Sequence, residues 1–146
     1  MSATNAFETS LLGLIVTNVA AANVGDAAGL LPSAAAGVFW ISLHTADPGE
    51  AGDQTTSETA YTNYVRQDEA RAAAQWTVTN NTADNDNAIG FPACGVTGAT
   101  LTNFGLGSAN VAAGNLFLKG ALTAPLIVSA GVTPSFAAGA LDITLD

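Results

Sequence analysis

At 146 residues the chain is long enough for one domain with a real core, since a domain of this size buries roughly 70% of its unfolded surface. Apolar residues make up 49% of it and charged residues only 10%, against about 25% in an ordinary soluble domain, so the surface is covered largely by Ala, Thr, Asn, Ser and Gly, which suits close packing against neighbours in an assembly. Twelve acidic residues face three cations, Arg66, Arg71 and Lys119, for a formal charge of −9, and without clustered Lys and Arg to displace counterions, nucleic acid is excluded as a partner.

The single cysteine, Cys94, excludes an intrachain disulfide and zinc sites built on several thiolates, and it reads as a small buried apolar residue. The longest apolar run, residues 11–22, is interrupted by Gly13, Thr17 and Asn18. It falls short of the roughly 18 to 20 residues that span a bilayer and follows no basic leader, so neither a membrane span nor a secretory signal is expected. Synthesis in the bacterial cytoplasm with no export is the corresponding expectation.

In chain order, residues 5–24 predict the one helix. Asn5 with Glu8 three residues on has the spacing of a capping box, and Gly25 offers a stop. Phe7, Leu11, Leu14, Ile15, Val19 and Ala22 recur at helical spacing and predict one apolar face, packed on its own domain or docked as an arm on a neighbouring subunit. Residues 26–37 read as a loop.

From residue 38 the period changes to two. Phe39, Ile41 and Leu43 point to one side and Trp40, Ser42 and His44 to the other, so this strand is covered on both faces or sets an aromatic at an interface. Further strands are predicted at 61–67, 75–79, 88–91, 100–106, 116–121, 125–128, 133–136 and 141–145, separated by turn signals such as Asp47-Pro48-Gly49, Asn80-Asn81, Ala130-Gly131 and Ala138-Gly139. Eight or nine short strands so punctuated predict a mainly β fold: an antiparallel, jelly-roll-like β-sandwich over 38–146 with an N-terminal helix, in a single domain over 1–146.

Few residues offer chemistry. Ser42, His44 and Asp47 have the residue types of a hydrolase triad, but Ser42 and His44 share one face of one strand with parallel side chains, which keeps base and nucleophile from meeting head-on. No catalytic residue is therefore expected. The stretch Asp84-Asn85-Asp86-Asn87 begins like a calcium loop but has Ala88, Ile89 and Gly95 where the third ligand, the glycine and the closing glutamate belong. It predicts a solvated turn, with no metal and no cofactor. His44, at a strand end beside the Asp47 turn, reads as a residue that pins the loop. Arg66, a planar guanidinium with five donors and acidic residues just before it, reads as a clamp holding the 47–58 loop to the sheet. Phe7, Leu11 and Trp40 are the candidates for an interface.

The motif Leu43-His44-Thr45-Ala46-Asp47-Pro48-Gly49, the element Tyr64-Val65-Arg66-Gln67, the run Ile89-Gly90-Phe91-Pro92-Ala93, the segment 114–117 and the C-terminal segment from Phe136 together resemble a family of small structural proteins of tailed-phage virions, described as tail fibre or capsid cement proteins. The resemblance implies a non-enzymatic virion protein that forms homo-oligomers. A compact, acidic domain without long fibrous segments leads to the expectation of a cement or decoration protein on the outer capsid surface, partnered by the major capsid protein. A tail or tail-fibre component is the alternative. A sugar-binding sandwich, with Trp40, Trp76, Tyr61 and Tyr64 as stacking platforms, is a third reading, and it requires those rings to be exposed together.

Overall fold

The computed structural model describes residues 2–145, so the two ends of the predicted domain, Met1 and Asp146, lie outside the described residues. The fold is mainly β, of the antiparallel sandwich class, with one N-terminal helix. The chain forms two compact units: Met1–Gly37 with Ala70–Ala88 and Phe136–Asp146, and Val38–Glu69 with Ile89–Ser135.

In the first unit, α1 (Asn5–Thr17) packs on a sheet in which β4 (Thr82–Asn85) lies between β3 (Trp76–Thr79) and β9 (Asp142–Thr144), all antiparallel. The helix departs from the sequence expectation in three ways. It is capped by Thr4 rather than Asn5, with no side-chain cap bond. Its buried stripe is Glu8, Leu12 and Val16 rather than the series through Phe7, which stays exposed, and Leu11. Glu8, turned inward, is not available to close a capping box. A helix this uniformly apolar offers several stripes at the same period, and the sheet beneath selects one.

The third departure is its end at Thr17 instead of residue 24. Asn18 turns left-handed, and the N–H of Val19 donates back to the Gly13 carbonyl at 3.1 Å. The chain then folds back on itself: the Asn18 amide exchanges two 2.9 Å hydrogen bonds with the Ser33 backbone, and Ala21 pairs with Leu30. Gly29 makes this return feasible, because a Cβ there would sit 2.1 Å from the Ala21 carbonyl oxygen. Arg71 donates to the carbonyls of Leu14, Ile15 and Ala36, placing a cation on the last helical turn where the backbone leaves acceptors unpaired.

Residues 84–87 are not a plain solvated turn. Asp84 and Asn85 end strand β4, and buried Asn85 donates to the carbonyls of Asn87 and Ala137 while its Oδ1 accepts from Ala140 and Leu141. All four amide bonding positions are thereby used. Asp84 stands directly opposite Asp142, and burial, with that neighbouring carboxyl next, raises its pKa.

The second unit holds the four-stranded sheet β2-β1-β6-β7, built from β1 (Val38–His44), β2 (Gln67–Ala70), β6 (Ala99–Gly107) and β7 (Leu116–Val128). The short strands β5 (Ile89–Gly90) and β8 (Ser135–Phe136) complete the chain. Strands 116–121 and 125–128 of the sequence reading are one strand, bent by an irregularity in its register with β6. Residues 61–66 are not strand. Asn63 is left-handed, the N–H of Tyr64 donates to the Tyr61 carbonyl, and strand begins only at Gln67. The segment is joined to its surroundings by two backbone hydrogen bonds at Thr62, with Gly95 and Thr97, and by a ring cluster of Tyr61, Tyr64 and Phe91 with centroids 5.3 and 6.3 Å apart.

Candidate functional site: a buried clamp behind strand β1

Strand β1 is apolar by sequence, and Phe39, Ile41 and Leu43 are buried as its period demands, but Ser42 and His44 on the other face are fully buried as well. Polar groups in that position must find partners. His44 Nδ1 lies 2.9 Å from the Thr56 carbonyl, which can only accept, so Nδ1 carries the proton and Nε2 accepts from the Ser42 hydroxyl at 2.8 Å. The expectation that these two side chains cannot meet is therefore corrected: neighbours two apart on one face come within hydrogen-bond reach once the imidazole turns along the strand. Burial lowers the His44 pKa, which keeps the ring neutral.

Asp47 does not complete a triad. It is exposed, accepts from the Gly49 N–H at 2.9 Å, and pairs with Lys119, which also reaches Glu50 at 3.1 Å. These bonds, the Gly49 amide first, lower the Asp47 pKa.

Arg66 is buried and its donors are directed inward. Nε and Nη2 grip the two oxygens of Glu58 at 2.6 and 2.7 Å, while Nη1 and Nη2 donate to the carbonyls of Ala109 and Ala112 at 2.8 and 3.0 Å. The fork matches a carboxylate, which is why the bond to Glu58 raises the Arg66 pKa. Tyr64 extends the network: its hydroxyl donates to Glu58 at 2.9 Å and accepts from the Leu43 N–H at 3.0 Å, tying the ion pair to β1. Burial pushes the Tyr64 phenol well above its ordinary pKa. His44 and Arg66 thus bind the same loop at neighbouring points, Thr56 and Glu58, and Asp47 holds its exposed tip through Lys119.

Gln54 is a member of this site that the sequence reading did not single out. Fully buried, it donates to the Trp40 carbonyl at 3.1 Å and accepts from the Ala109 N–H at 2.9 Å. Its side chain occupies the space left by Gly107 and Gly114, where an added Cβ would meet it at 2.1 and 2.2 Å. The only signal in the sequence is that pair of glycines, and nothing local connects them to residue 54.

Of the interface candidates, Phe7 is exposed and Leu11 half-buried in the first unit, and Trp40 is half-buried in the second. The aromatic residues offered as sugar platforms are engaged otherwise. Trp76 and Tyr61 are buried, with Trp76 Nε1 donating to Ala70 and the Tyr61 hydroxyl to Pro92, and Tyr64 belongs to the clamp. Of the four rings, only Trp40 and Tyr64 are even half-exposed, and Tyr64 is held by Glu58 and Leu43. Among the described residues no group of three or more His, Cys, Asp or Glu is placed to hold a metal ion, and no helix is long and apolar enough to cross a membrane.

With Ser42, His44, Arg66 and Glu58 engaged in internal bonds, comparison with known proteins supplies the class. A family model described as Podophage GP4 fiber I protein gp80 matches residues 2–144. The chain belongs to that family. It is therefore a structural component of a phage virion, of fibre type. No curated protein matches it. The description names a fibre, so the tail-fibre alternative of the sequence reading is better supported than the capsid-cement assignment, which rested on compactness and charge.

Proposed function

We propose that the chain is a non-enzymatic building block of a fibre carried on the outside of a podophage virion, held there by protein partners and by other copies of itself. The observation that carries this reading is the extent of the family match, which runs through both compact units. The disposition of the reactive side chains supports it. Ser42 and His44 are sealed from solvent, and Arg66 and Glu58 neutralise each other while Arg66 also holds the carbonyls of Ala109 and Ala112. The net charge of −9 keeps the subunit away from the packaged genome.

Quantitative mass spectrometry of purified virions, together with immunogold labelling, tests the assignment. The expected result is a copy number far below that of the major capsid protein, with label confined to fibres. A copy number of the same order as the major capsid protein, with label spread evenly over the shell, would overturn it in favour of a cement protein.

A further inference from the structure

Strand β7 ends its sheet: β6 lies on one side, and among the described residues no strand lies on the other. Its pairing slips where Leu101↔Leu126 gives way to Asn103↔Ala121, a step of two residues on β6 against five on β7, so residues 122–125 are looped out of the ladder. Between residues 121 and 127 every residue but Leu122 is exposed, Leu126 at 37% and Ile127 at 72%. An apolar strand left open on both faces and along one edge is a surface that proteins ordinarily blunt with charge. This one carries a single charge, Lys119, already engaged by Asp47 and Glu50.

The charge distribution says what fits there. Residues 87–141 contain no Asp or Glu, although the chain carries −9 overall. Two copies of so acidic a chain repel each other over most orientations and can approach where this stretch meets itself. We propose that residues 121–127 of β7 form a self-association surface, taking the same strand of a second copy about a two-fold axis. Pro125 removes one N–H from the edge, so apolar side chains rather than a continuous ladder hold the pair. Because the contact is uncharged and the bodies it joins repel, added salt strengthens it by screening that repulsion. A basic partner would show the opposite dependence. The inference stands on the strand and its charge, not on the fibre assignment, so its failure leaves the virion location to its own test.

Sedimentation velocity of the full chain across concentrations, at low and high sodium chloride, is the experiment. Self-association that tightens with salt is expected, and Ile127→Glu should weaken it by about tenfold or more. Val111→Glu, at a similarly exposed valine outside the strand, should leave it unchanged. Hydrogen exchange on the unmodified protein provides a readout that does not depend on a variant folding: amides of residues 121–127 should gain protection with concentration while those of 108–113 do not. A monomer at every concentration and salt, association that weakens with salt, equal effects of the two variants, or no protection along 121–127 would each overturn the proposal.

Discussion

Strands β1 and β7 belong to the same sheet and are both rich in large apolar residues, yet β1 is buried on both faces while β7 is exposed along most of its length. Hydropathy does not separate them. What does is the company each keeps: β1 has a strand on either side and the 45–59 loop held against its polar face by His44, Gln54 and the Arg66–Glu58 pair, whereas β7 has one neighbouring strand and, at residues 122–125, not even that. The lesson is that the covering of a strand is decided by contacts distant in sequence, and that a strand left uncovered by its own chain is where an outside partner should be sought.

The contrast can be broken at the clamp first. Removing one member of a buried ion pair strands the other, so Arg66→Ala should cost about 4 kcal/mol of unfolding free energy by chemical denaturation. Arg66→Lys should recover only part of it, since an ammonium cannot grip both Glu58 oxygens and two carbonyls at once. A loss below about 1 kcal/mol in the alanine variant would mean that β1 is covered without the clamp.

Within β1 itself, Ile41→Ala should cost about 3 kcal/mol, the middle of the range for emptying a buried aliphatic site. A markedly smaller loss would indicate that the site collapses around the smaller side chain.

Acid probes the same covering through His44. Its folded pKa lies below the ordinary 6.5, so between those two values the unfolded chain binds a proton that the folded chain refuses. The stability at stake is fully present above about 6.5 and is lost as pH falls toward the folded pKa, with a slope of at most about 1.4 kcal/mol per pH unit. Asp84 works in the opposite sense: its raised pKa lets the folded chain hold a proton longer, a contribution present at low pH and lost as pH rises through that value. The difference between the unmodified protein and His44→Gln, measured by thermal melts across pH, isolates the histidine. Parallel curves would show that His44 takes up its proton without leaving the site.

The smallest effect is the sharpest comparison. Ile127→Ala on β7 should change the stability of the monomer by no more than about 0.5 kcal/mol, although it removes the same atoms as Ile41→Ala. A loss approaching that of Ile41 would mean that residue 127 is covered in solution.

Legibility in the sequence followed the same division between local and distant causes. The two-residue period of Phe39, Ile41 and Leu43 and the turn residues around it are local, and they lead to a mainly β fold with one helix. The helix face was not legible, because its near-continuous apolar run fits several stripes and only the sheet it meets selects Leu12 and Val16. Asp84 to Asn87 read as a turn from their polarity, yet Asn85 is held by partners at residues 137, 140 and 141 that no window of sequence joins to it. At the clamp, the scarcity of cations singles out Arg66, but its acceptors at Ala109 and Ala112 lie 43 and 46 residues away. Ser42 and His44 are neighbours in sequence, yet their 2.8 Å contact is not legible there, because a side-chain rotation decides whether they touch.

The lengths of those connections bear on time as well as on energy. Gln54 reaches Ala109, 55 residues along the chain, and packs into the space left by Gly107 and Gly114. Contacts of such separation carry a loop-closure cost that slows folding, and those absent from the folding transition state set the barrier to unfolding. For a component of a virion, the persistence of each subunit is a matter of that barrier rather than of the equilibrium alone.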